Sequence, residues 1–259
     1  MVPNTCVFCG TTSDCAKITN EHLFPAWVNT VLTPQVVGPG LSNLRTWGDK
    51  HQVKESKTWP VKEPATTTVR VVCEPCNTGW MHDLEEAVKP ILIGPVLGQG
   101  NARFTPGQQL DLATWACVKT MAFEYFWTEP PVFTQADREI VRTQGRPPAT
   151  VRVDIAAVES QGQPLQAFRV TYASPAASPN EPATSDFSIC MTMAIGCFVV
   201  QVRGGLGAGE HRFKDYGRAR AESKSIFPPS LPQAIWPPAT LLNDETIQAF
   251  ARPRGPIED

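Results

Sequence analysis

The order of apolar and polar residues divides the chain into a front part of short, interrupted elements and a back part of longer, cleaner ones. Residues 65–72 are rich in β-branched side chains and predict a strand. Residues 17–24 predict another short strand, and Pro25 then suits the first turn of a brief helix over 26–32. From 33 to 64, proline, glycine and mixed charges follow one another without a period, which predicts loop. Asn77 opens a helix that Pro90 stops, with Met81, Leu84 and Val88 on the same stripe as Asn77 and His82 turned away from it. Residues 91–107 read as a connector, and 108–127 as an apolar helix in which Leu110, Ala113, Trp115, Cys117, Met121, Phe126 and Trp127 mark the core.

Thr134 and Asp137 begin a second helix with the residue types of a capping box. Strands are predicted over 150–158, 167–172, 187–203 and 210–216, the third long enough to be two strands bent at Gly196. Asn243 starts a terminal helix. Helices followed by an antiparallel sheet predict an α+β fold, divided into residues 1–95 and an α+β domain over 103–259.

Composition narrows the functional classes. The 259 residues can bury a sizeable core as one large domain or two small ones. A charged fraction of 19% and a net charge of -2 exclude a disordered charged tail and a protein that coats nucleic acid through overall charge. Any nucleic-acid contact must therefore come from a local patch. No run approaches the ~18 apolar residues of a membrane span, and the opening residues lack the basic and apolar stretches of a secretory leader. The expectation is a cytoplasmic protein without a membrane partner.

Eight cysteines carry the strongest chemical signal. Cys6 and Cys9, and again Cys73 and Cys76, have C-x-x-C spacing. One such pair chelates an ion from a tight knuckle, and two complete a tetrahedral four-sulfur site suited to structural Zn²⁺. Disulfides are disfavoured in a reducing compartment, and a redox pair would need the βαβ setting that is missing here. Cys15 lies close enough behind Cys9 to be an alternative ligand but has no knuckle partner. Cys117, Cys190 and Cys197 sit in apolar patterns and read as buried thiols. Between the knuckles, Arg45, Lys50, Lys54 and Lys57, with Trp59 among them, form a weak basic patch that suits a phosphate backbone and equally an ordinary solvated surface.

The sequence Cys6-x-x-Cys9, then Glu21-His22-Leu23-Phe24-Pro25, then Cys73-x-x-Cys76-Asn77 resembles the HNH (His-Me finger) endonucleases, in the variety whose ββα-metal fold is braced by a four-cysteine zinc. The resemblance covers about residues 1–95. It implies His22 as general base, with Asn77 and Glu21 as ligands of a catalytic Mg²⁺ or Mn²⁺, and nucleic acid, DNA in the first place, as the partner. The physical chemistry agrees: phosphodiester hydrolysis needs a base for water and a cation to stabilise developing charge. Carboxylate and amide oxygens suit a hard divalent ion. Asn77 has a second reading as a helix cap, and Glu21 as a solvent-facing carboxylate that strand alternation points away from His22.

The middle Asn of the family pattern has no counterpart over 66–72, which leaves Thr68, a backbone carbonyl or Asn43 to orient His22. That gap keeps open a catalytically inactive zinc module of the same fold that binds nucleic acid or protein. The role of 103–259, a protein partner and a homo-oligomer are open as well.

Overall fold

The structure is a computed structural model and describes residues 4–32, 40–47, 53–61, 66–127, 131–159, 165–173, 187–205, 219–229 and 232–251. The first cysteine turn leads into strand β1 (Ile18–His22), a single-turn helix α1 (Val28–Val31), a hairpin of β2 (Gly40–Trp47) and β3 (Val53–Val61), and strand β4 (Thr68–Cys73). β1 and β4 pair antiparallel, Ile18 opposite Cys73 and His22 opposite Thr68. Val69 and Val71 of β4 face inward while Arg70 points out and donates from Nε to the Ile18 carbonyl at 3.1 Å.

The pairing slips between Thr19 and Asn20. That bulge shifts the alternation by one residue, so Ile18 and Glu21 share the buried side while Asn20 is exposed. Simple alternation, which would send Glu21 outward, fails here for that reason.

The helix after β4 starts earlier than expected and runs further. It begins with α2 (Glu74–Cys76), passes through a π turn (Asn77–Met81) kinked at Gly79, whose φ of -98° and ψ of -118° are not helical, and continues as α3 (His82–Val96). Cys73 is the N-cap residue and Pro75 occupies the first turn, so Asn77 follows α2 at its C-terminal end, its backbone amide donating to the Glu74 carbonyl, and is not an N-cap. Pro90 does not stop it: both Pro90 and Pro95 lie within α3. A proline inside a helix costs about 3 kcal/mol. Val88, Leu92 and Val96, spaced four apart, are buried to 1% exposure or less, and burial worth about 1.5–3 kcal/mol for each offsets a cost of the same size from the two prolines.

Strand β5 (Ala102–Phe104) follows, so the expected connector over 91–107 is largely structured. α4 (Pro106–Phe123) starts at a capping box of Thr105 and Gln108 and is buried on nearly every side from Leu112 onward. α5 (Gln135–Gln144) starts at the expected capping box of Thr134 and Asp137 and ends on Gly145 in the left-handed region.

The main sheet contains β6 (Arg152–Ala157), β7 (Leu165–Ala173), β8 (Phe187–Ile195), β9 (Phe198–Gly204) and β10 (Ser223–Phe227). Among the described residues its order is β10-β6-β9-β8-β7-β2-β3. Every neighbouring pair is antiparallel except β2 with β7. The 187–203 run is two strands turning at Gly196, as its length suggested. Gly196 has φ +56°, and a Cβ there would come within 2.0 Å of the Val96 carbonyl oxygen, so the hairpin tip seats directly on the end of α3.

The hairpin β2–β3 corrects the expectation of loop over 33–64. Neither strand alternates apolar and polar residues cleanly, and β2 gains its place by backbone pairing with the distant β7. The predicted strand over 210–216 lies outside the described residues. After β10, which follows the short helix α6 (Ala219–Glu222), β11 (Ala234–Trp236) pairs back with β5, and α7 (Asp244–Phe250) is capped by Asn243 as expected.

The molecule is thus a mixed α+β fold whose sheets are predominantly antiparallel. One apolar cluster runs from Cys6 in the first cysteine turn to Trp236 in β11. It packs α4 (Trp115, Met121, Phe123) against one sheet face (Val153, Ile155, Met191, Val200). A smaller cluster on the opposite face puts Ile247 of α7 over Phe168 and Val199. No helix among the described residues is long and apolar enough to cross a membrane.

Candidate active site and metal centre

The first cysteine turn is held to β4 by a hydrogen bond from the Val7 amide to the Val71 carbonyl at 3.0 Å. Phe8 packs edge-on against Trp80 of the π turn, ring centres 5.3 Å apart. These contacts bring Cys6, Cys9, Cys73 and Cys76 together, with their sulfurs all within 4.8 Å of one another. A tetrahedral site with Zn–S bonds near 2.3 Å puts the sulfurs about 3.8 Å apart. Cys9 and Cys73 Sγ are at 3.5 Å, so the four sulfurs fit a metal ion such as zinc. Cys15 is exposed and stands outside the group. Cys117 and Cys190 are buried as expected, burial pushing the Cys190 thiol up to about 12, whereas Cys197 is half-buried.

The four thiols are electrostatically unequal. A hydrogen bond from the Cys76 thiol stabilises the Cys6 thiolate and holds its pKa at about 4. Burial pushes Cys73 up to about 11. A metal ion on the four sulfurs displaces the protons that they hold.

Beside this centre lies a cleft of ≈ 100 Å³. It is far smaller than the roughly 300–1,000 Å³ of pockets that enclose a small-molecule substrate, and has room for an ion and a few waters. β1 supplies Glu21 and His22, the π turn Asn77, α3 His82 and Glu85, and α4 Lys119. The Asn77 amide nitrogen donates to Thr19 Oγ1 at 3.0 Å and to the Asn20 carbonyl at 3.1 Å. Its nitrogen is thereby committed to β1, and what it can offer the cleft is the acceptor Oδ1.

His82 joins the cleft across a kink, where the angle per residue of a continuous α-helix does not apply. Gly79 leaves the helical region there (φ -98°, ψ -118°) and the His82 amide bonds back to the Gly79 carbonyl, so the chain kinks between Asn77 and His82 and both line the cleft. Thr68 is the cross-strand partner of His22, so its side chain shares a face with the imidazole.

Lys119 organises the acidic side of the cleft. It is 2% exposed, and its ammonium donates to Glu21 Oε1 at 2.5 Å, Glu85 Oε2 at 3.0 Å and the His22 carbonyl at 3.0 Å. Burial pulls its pKa down, but the two carboxylates outweigh that and raise it above the ordinary 10.5, so the ammonium stays charged. Glu21 is accordingly a buried, ion-paired carboxylate. Among the described residues the four cysteines are the one place where three or more His, Cys, Asp or Glu ligand atoms converge.

Glu85 and Lys119 are the cleft residues that sequence reasoning missed, while His82, read as turned away from Asn77, is exposed and lines the cleft all the same. Lys119 had a visible signal, a single cation in the apolar run from Leu112 to Phe123. The side chains of Arg45, Lys54, Lys57 and Trp59, and the whole of Lys50, lie outside the described residues. In comparisons with known proteins, no family model, curated protein or solved structure matches the chain.

Proposed function

We propose that the chain is a metal-dependent endonuclease of HNH (His-Me finger) type that hydrolyses phosphodiester bonds in DNA, its front part over 1–95 braced by zinc on Cys6, Cys9, Cys73 and Cys76. The observation that carries the reading is the meeting of His22, Asn77 and His82 in one open cleft beside the four-cysteine centre. The two strands and the helix that hold them follow in the order strand, strand, helix.

His22, at the end of β1, takes the proton of an attacking water, and an imidazole is the side chain best suited to that at neutral pH. Thr68 across the strand pair and the Lys119-held carbonyl of His22 fix the backbone and face from which the ring projects. Asn77 Oδ1 and the His82 imidazole would hold a divalent cation from the helix side. When bound, Mg²⁺ or Mn²⁺ supplies the positive charge that the transition state and leaving oxygen require. The small volume of the cleft suits a phosphate lying across an open mouth rather than a substrate swallowed whole. Arg45, Lys50, Lys54, Lys57 and Trp59 would track the phosphate backbone outside it. This is a role for a protein of the cytoplasm with nucleic acid as its partner.

One observation favours a second reading, a catalytically inactive zinc module that binds nucleic acid or protein. An oxygen of Glu21 and one of Glu85 are held by Lys119, and no preassembled carboxylate site awaits a metal among the described residues.

The deciding measurement is nicking of supercoiled plasmid by wild type and His22→Ala, with Mg²⁺ or Mn²⁺ at low salt, after zinc content and folding are confirmed for both. Cleavage by wild type that falls at least a hundredfold in the variant is the expected result, on the scale of about 10²–10⁴ for a lost general base. Equal cleavage by both removes His22 from the chemistry. Silence of a folded, zinc-loaded wild type selects the binding module.

A further inference from the structure

An ammonium has three N–H donors, and Lys119 spends all of them on two carboxylates and one carbonyl. It therefore has no proton left for a substrate phosphate and acts through its neighbours. Glu21 comes from β1, Glu85 from α3 and Lys119 from α4, so the contact joins three elements at one point. Two carboxylates from different elements converging on one spot is the arrangement by which proteins hold hard divalent ions. Here a side chain of the same chain already stands at that spot.

We propose that Lys119 is a positioning residue that serves as the resident cation of the cleft: its ammonium takes the place between Glu21 and Glu85 that a divalent ion would take, so that an entering ion is held by Asn77 and His82 and not by Glu21. The proposal rests on the phosphodiesterase reading for the purpose of that ion, while its geometry stands independently of any cleavage. With the ammonium in place, Glu21, Glu85 and Lys119 together carry one net negative charge; without it they carry two. Two partly desolvated carboxylates without a counter-ion repel each other and draw in a cation, because their mutual interaction is screened far less than in water. Lys119 thus keeps the grip on a divalent ion loose and its ligands on the helix.

The test is Mn²⁺ binding to the full-length, zinc-loaded protein, followed by the loss of the free-ion electron paramagnetic resonance signal. Lys119→Met removes the charge and keeps most of the side-chain length. Lys119→Gln removes the charge but keeps amide donors for the carboxylates, in case the first variant does not fold. Either is expected to bind Mn²⁺ at least tenfold more tightly than wild type. Adding Glu21→Gln to the same variant is expected to abolish the gain, and Lys119→Arg, which keeps the charge, to show none. A gain below tenfold, or one that survives Glu21→Gln, overturns the proposal. So does anomalous scattering that places Mn²⁺ on Glu21 in wild-type crystals. Plasmid nicking enters none of these readouts, so a failure of the nuclease reading and a failure of this proposal are told apart.

Discussion

Lys119 concentrates the electrostatics of the cleft in one side chain. Its pKa is raised above 10.5 because the gain from Glu21 and Glu85 exceeds the cost of burial. A cationic group raised on folding stabilises the native state fully below its unfolded value, and that contribution is lost as pH rises through the folded value. Thermal melts above pH 10.5 should therefore fall more steeply for wild type than for Lys119→Met; parallel curves would mean that the ion pairs add nothing to stability. At this scale the sequence was legible where chemistry and spacing coincide. Cys6, Cys9, Cys73 and Cys76 converge as their spacing implied. Glu21 was misjudged because a bulge at Thr19 and Asn20 reverses the alternation, and nothing in Ile-Thr-Asn-Glu-His announces a bulge.

The π turn is the element on which the site depends. Cys76 precedes Asn77 by one residue and, across the kink at Gly79, His82 by six, so the sulfur centre and the cleft share one short stretch of backbone. Metal binding to four cysteines is worth roughly 10–16 kcal/mol in small zinc domains, and where no preformed site survives unfolding this is folding energy. Chelation should release the first cysteine turn from Trp80, seen as a shift in tryptophan emission and a lower melting temperature. It should also remove any Mn²⁺ binding in the cleft, although the chelator touches no residue there. Unchanged emission and melting on complete zinc removal would show that the cluster braces nothing.

The capping box at Thr134 and the helix start at Asn243 were readable because each depends on residues close in sequence. The π turn, the passage through Pro90 and the hairpin over 40–61 were not. Each is decided by contacts far along the chain: Phe8 on Trp80, the buried stripe of Val88, Leu92 and Val96, and β7 beside β2.

At the scale of the molecule, the division of the sequence at about residue 95 does not divide the packing. The same apolar cluster holds Phe8, Val71, Leu92, Trp115 and Val200, and the cleft takes Lys119 from beyond that point. A fragment of residues 1–96 should therefore fail to give a cooperative melt or dispersed amide resonances even when supplied with zinc. A fragment that folds with native dispersion would overturn this account of the core. The parallel pairing of β2 with β7 also has a consequence for the order of events in synthesis. Ser42 of β2 lies opposite Ala167 of β7, and Glu21 opposite an ammonium at position 119. At roughly 5–20 residues per second, the ribosome delivers these partners many seconds after the groups that wait for them. During that interval the hairpin shows an open edge and Glu21 an unpaired charge, so the nascent chain passes through a window in which neither the sheet nor the cleft can yet exist.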